Sequence, residues 1–136
     1  MAKRRTRKAS PKPLTMVICE TVLRDETTKN VTLVGLFNRI QGPQLPLRHD
    51  RLHVFVSLTD GHGKYPVLLQ CKAPDEKVVF EVAGELDFAD PLGAADINVE
   101  VRGLVFEAAG NYVFEFYAGG EMLILRRFTV VVEKHA

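Results

Sequence analysis

Tyr112-Val113-Phe114-Glu115-Phe116, entered through Ala109-Gly110-Asn111 and left through Gly119-Gly120, decides the fold. Tyr112, Phe114 and Phe116 recur at period two, which places three aromatic rings on one face of a strand. The flanking glycines supply the turns. A second apolar run follows from Met122 to Val132, and a third precedes it from Ile97 to Phe106. Strand, turn, strand, hairpin, strand is the pattern of an antiparallel all-β domain.

The same pattern extends toward the N-terminus. Further strands are expected over residues 15–20, 31–40, 52–59, 65–72 and 78–82, the last extended by Leu86 and Phe88. Leu52, Val54, Val56 and Leu58 alternate on one face, and Phe55 on the other face suggests cover on both sides. Gly35 marks a bulge or a close approach of backbone. Gly42-Pro43-Gln44-Leu45-Pro46 ends one strand, and Asp60-Gly61-His62-Gly63-Lys64 reads as a hairpin loop. Residues 90–96 form the longest late loop, with room for a short helical turn. About eight short antiparallel strands at this spacing imply a β-sandwich or a barrel. Val54, Val56, Phe80, Val101, Phe114, Phe116, Phe128 and Val130 are expected in its core. Tyr112 stands just past the Gly110 turn, where Greek-key sandwiches place a tyrosine corner, its hydroxyl bonding back to nearby backbone. Phe114 takes the place where antibody domains carry a cysteine.

The chain has 136 residues, 46% of them hydrophobic, which is enough for one domain with its own core. Cys19 and Cys71 are too few for a disulfide scaffold and sit inside apolar strand patterns, so buried free thiols are expected. The apolar run that directly follows the basic N-terminus extends only from Met16 to Cys19 before Glu20 interrupts it, too short for a signal-peptide core or a membrane span. A cytoplasmic protein without membrane contact is expected.

A net charge of +1 hides a split. Residues 1–13 carry Lys3, Arg4, Arg5, Arg7, Lys8 and Lys12 and no acid, leaving 12 basic residues against 17 acids in the rest. The division expected is a disordered basic tail over residues 1–13 and a sandwich domain, net charge −5, over residues 14–136. The six tail cations form a candidate site for nucleic acid or another polyanion, although no aromatic residue accompanies them to stack on bases. The alternative is a solvated tail, or one that folds back on the acidic domain.

Chemistry is sparse. Ser57, Cys19 and Cys71 lie in strands with no nucleophile elbow and no histidine at a suggestive spacing. His49, His53, His62 and His135 form no paired ligand motif, so no metal site is expected. There is no phosphate loop and no dinucleotide fingerprint, and no cofactor is expected. If each strand runs antiparallel to the next, Asp25, Glu26, Asp60, Asp87, Asp90, Asp96 and Glu121 gather at one end. The tail and Arg48, His49 and Arg51 then gather at the other. Such a polar molecule could bind calcium at its acidic end or self-associate pole to pole, although ordinary solvated loop charge explains the acids equally.

Three stretches carry a resemblance. Val31-Thr32-Leu33-Val34-Gly35-Leu36-Phe37-Asn38-Arg39-Ile40, the run from Phe106 through Gly110 to Tyr112 and Phe114, and the closing Gly120-Glu121 with Phe128-Thr129-Val130 resemble a family of small bacterial proteins classed as a domain of unknown function. The resemblance spans residues 14–133 and implies a bacterial, cytoplasmic, immunoglobulin-like sandwich. It transfers no active-site residue. The function expected is therefore a non-catalytic interaction module that binds a protein partner or itself through a sheet face, an edge strand or loops. Binding of polyanions through the tail is the alternative.

Overall fold

The computed structural model describes residues 8–133. Nine strands follow in order: β1 (Lys12–Arg24), β2 (Val31–Leu36), β3 (Arg39–Gly42), β4 (Leu47–Thr59), β5 (Gly63–Lys72), β6 (Val78–Phe88), β7 (Ala95–Phe106), β8 (Gly110–Ala118) and β9 (Glu121–Val132). They form a four-stranded sheet in the order β2-β1-β4-β7 and a five-stranded sheet in the order β3-β9-β8-β5-β6. Neighbours are antiparallel except β3 and β9, which run parallel. The fold is an all-β sandwich; residues 90–94 form a turn without a helix, and Ala95 and Asp96 already belong to β7.

The ninth strand comes from dividing residues 31–40, read above as one strand. β2 pairs with β1 as far as Leu36 opposite Cys19. The Phe37 N–H still donates to the Ile18 carbonyl of that sheet (3.0 Å), but the Asn38 carbonyl accepts from the Thr129 N–H of the other (2.9 Å). There the chain reverses, and β3 runs beside β9 from Arg39↔Thr129 to Gly42↔Val132. An unbroken apolar pattern reports burial and is blind to a change of partner, so the sequence hides this switch.

The extra reversal inverts the loop parity of everything before it, and the expected poles are corrected accordingly. Asp25 and Glu26 lie at the end that holds Leu47 and Phe106, together with Arg48, His49 and Arg51. The N-terminal segment enters at the opposite end, beside Asp60, Asp90 and Glu121: Lys12 is paired with Thr59, and Ala95 with Leu58. Pole-to-pole association of tail and acidic end loses its geometric basis, because both occupy one pole.

Between the sheets lies an apolar core whose largest members are aromatic. Phe128 stacks on Tyr112 (ring centroids 5.5 Å apart) and on Phe114 (5.4 Å), while Phe106 meets Tyr112 edge-on at 4.9 Å. Such pairs add to simple area burial. Seven of the eight expected core residues are no more than 2% exposed. Phe80, near the start of the edge strand β6, is only half-buried, whereas Phe88 at the other end of β6 is buried. Phe55 is buried on the outer face of the four-stranded sheet, opposite Val17 in the ladder. Cys19 and Cys71 are free and fully buried on different sheets, and burial pushes the Cys71 thiol up to about 12.

Tyr112 is 1% exposed, and its hydroxyl donates to the Ala108 carbonyl at 2.7 Å. This bond ties the start of β8 to the loop that precedes it, and burial raises the phenol pKa. Tyr112→Phe keeps the stacked ring and removes only the bond. It is expected to lower stability by about 1 kcal/mol, read as a lower urea midpoint with unchanged slope; an unmoved midpoint would show the hydroxyl to be idle.

Candidate interaction surface

The tail cations meet the structure unevenly. Lys3, Arg4, Arg5 and Arg7 lie outside the described residues. Lys8 lies over the Tyr65 ring, 3.9 Å from its centroid, and donates to the Lys64 carbonyl at 2.6 Å. Lys12 stands 3.6 Å from the Asp60 carboxylate, with both side chains well exposed. Between them the Ser10 hydroxyl bonds the Glu121 carboxylate, Pro11 is buried, and the buried Tyr65 donates its hydroxyl to the Ala9 carbonyl (2.8 Å). β1 starts at Lys12. Residues 8–13, assigned above to the tail, thus make contacts with the domain, two of them with the acidic side chains Glu121 and Asp60 that a tail folded back on the domain would meet.

The nucleophile candidates are placed without a shared site. Ser57 donates to Asp96 Oδ1 at 2.7 Å, and His53 Nδ1 lies 3.1 Å from Asn98 Oδ1. Cys19 is opposite His53 in the ladder, but burial, only partly offset by the Thr21 backbone N–H, raises its thiol above the ordinary value. Among the described residues, no group of three or more His, Cys, Asp or Glu side chains could hold a metal ion.

On the outer face of the five-stranded sheet a polar network sits among apolar neighbours such as Leu68 and Leu125. Lys72 reaches Glu115 at 3.0 Å, Tyr117 donates to Glu115 Oε1 at 3.1 Å, and Gln70 donates to both Glu115 and Tyr117. Burial pushes the Glu115 carboxyl up, but the bonds from Lys72, Tyr117 and Gln70 prevail and hold it below its ordinary value.

The strand edges differ sharply. Of the four strands that end a sheet, β6 carries Glu81, Glu85 and Asp87, and β7 carries Asp96, Glu100 and Arg102. β3 is four residues long, and Glu133 holds its Arg39 and Gln41 side chains. Short length and charge are the usual means of blunting an edge. β2 has neither protection: residues 30–38 contain no charged side chain. It is also apolar on both faces. Val31 and Leu33 point one way and are half-buried; Val34 and Leu36 point the other way and are 42% and 56% exposed.

Register extends this patch onto β1. Thr21↔Val34 and Leu23↔Thr32 put Leu23, itself 54% exposed, on the face of Val34 and Leu36. Beyond Cys19, β1 pairs only with β2, while β4 above His53 pairs only with β7. The two strands therefore diverge, leaving a cleft lined by Glu20, Thr21, Arg48, His49, Asp50 and Arg51, and the β1–β2 hairpin stands off the sheet as an arm. Gly35 shapes the arm. Its φ of +70° suits glycine, and a Cβ there would lie 2.8 Å from the Glu20 carboxyl.

The sequence missed this surface, though it held half the signal. Apolar residues at odd and even positions alike describe a strand covered on both faces; only strand order reveals that β2 has no neighbour on one side.

Comparison with known proteins agrees with the architecture. A family model described as "Family of unknown function (DUF6941)" matches residues 14–131. An immunoglobulin-like protein from Pseudomonas aeruginosa superposes with a TM-score of 0.52 at 15% identity, over 91% of this chain and 98% of that one. The sandwich is thus immunoglobulin-like, a likeness of fold alone. No curated protein matches the chain.

Two outcomes follow for the segments just described. A chain lacking residues 2–7 keeps the contacts of Ala9, Pro11 and Lys12, whereas one lacking residues 2–13 loses them and should be less stable by about 1–2 kcal/mol in urea unfolding; equal midpoints would show these contacts to be idle. For Glu115, the folded pKa lies below the unfolded value of about 4.3, so its stabilisation is present above that pH and disappears as pH falls through the folded value. Glu115→Gln is expected to lower the melting temperature at pH 7 and to converge on the wild type in acid, once the pH lies below the folded pKa. A gap that persists in acid would mean that the network does not act through the ionised carboxylate.

Proposed function

We propose that this chain, which belongs to the Family of unknown function (DUF6941), is a non-catalytic interaction module that takes its partner by strand addition at the open edge of β2. One mismatch carries the reading: β2 has the composition of a central strand and the position of an edge. An added strand meets unpaired N–H and C=O groups along that side, and side-chain contacts on both faces then select the partner. Val34, Leu36 and Leu23 supply such contacts on one face, and Val31 and Leu33 supply them on the other. The setting is read as cytoplasmic, in keeping with two free, buried thiols.

The polyanion reading has less support. Two of its six cations, Lys8 and Lys12, already meet partners on the domain, and the basic segment joins the domain at its acidic end, which would repel a polyanion.

The test is affinity capture from the native host with the wild-type chain, Val34→Lys and Leu36→Lys. Both positions are exposed, so both variants should keep the wild-type urea midpoint. Both are expected to lose the captured partner, and retention by both would overturn the edge reading.

A further inference from the structure

Resting on the edge reading, we infer that the strand added at β2 is β2 of a second copy of this chain, which joins two four-stranded sheets into one across a two-fold axis. A two-fold contact presents the same patch twice, so the patch must tolerate itself. Charge is the first criterion. Beyond residue 13 the chain holds 12 basic and 17 acidic residues, so much of the sandwich surface presents like charge to a second copy. Where β6 meets β6, Glu81, Glu85 and Asp87 would oppose their own kind. Residues 30–38 carry no charge, and there two copies can meet without repulsion.

The second criterion is side-chain complementarity. In an antiparallel pair related by a two-fold axis perpendicular to the sheet, opposed residues share a face. Centring the axis on Val34 sets Val34 against its own copy, Thr32 against Leu36, and Leu33 against Gly35. Within β2 only Thr32 brings a polar side chain to the contact, and the Glu20 carboxyl of the neighbouring β1 lies beside Gly35. Leu23 lies beside Thr32 on the neighbouring strand, so Leu23, Val34 and Leu36 of both copies form one apolar stripe. These three are among the large hydrophobic side chains left exposed in a single copy. The third criterion is access: the arm stands off its own sheet beyond Cys19, so a second domain can approach its edge.

The experiment is sedimentation of the full chain across a concentration series, with Val34→Lys and Val34→Glu measured alone and mixed. The wild type is expected to dimerise, and each variant alone to dissociate at least about tenfold more readily because like charges face each other. The equimolar mixture should regain the dimer, since Lys then faces Glu. That rescue requires both variants to be folded and requires residue 34 to face residue 34. A wild type that stays monomeric at all concentrations overturns the second copy as partner; capture that is still lost in Val34→Lys and Leu36→Lys would keep the edge reading alive. Variants that dimerise as the wild type does overturn the β2 contact, and if they also retain the captured partner, the edge reading fails with it.

Discussion

Two backbone hydrogen bonds from adjacent residues set the architecture. The Phe37 N–H belongs to one sheet and the Asn38 carbonyl to the other. A strand that continued past this point would lengthen the four-stranded sheet and leave β9 open along its upper half. The reversal instead places β3 beside β9 and ends β2 at Leu36. The closed flank of the second sheet and the open flank of the first are thus one event. Gly35, at a left-handed φ immediately before the switch, lets the backbone pass Glu20 as it prepares to turn.

What could be read in the sequence was what repeats locally. Period two in β8 and β4 predicted the core correctly, because alternation reports which side chains leave water, and Phe114, Phe116, Val54 and Val56 do. Phe80 shows the limit: the alternation is there, yet Phe80 is only half-buried while Phe88 of the same strand is buried. Partner and direction are invisible to periodicity. Hence residues 31–40 read as one strand, and a single hidden reversal exchanged the poles for Asp25, Glu26 and the N-terminal segment.

The candidate site follows the same logic. The tail cations were visible because a run of charge is a local property, yet the hydrogen-bond partners that fix Ala9 and Ser10, the Tyr65 hydroxyl and the Glu121 carboxylate, come from far along the chain. The β2 edge was invisible for the opposite reason. Its composition was plain, but being an edge is a property of strand order. The two outer faces complete the contrast. Glu115 binds Lys72, Gln70 and Tyr117 and leaves little polar surface unmatched, whereas the hairpin arm leaves apolar side chains in water that the rest of the molecule does not cover.

The course of β1 also has a mechanical meaning. Its first residue, Lys12, lies at the pole of Thr59 and Glu121, while Val132 at the end of β9 lies at the pole of Gly110 and Gly42. The two ends of the described chain therefore leave in opposite directions, roughly along the strands. Inter-strand bonds lie across the strands, so tension between those ends would load the β1–β4 ladder as a set, in shear, instead of opening it one bond at a time. The hairpin arm stands outside this line of force, so a partner held on β2 could stay in place while the body of the sandwich bears a pull.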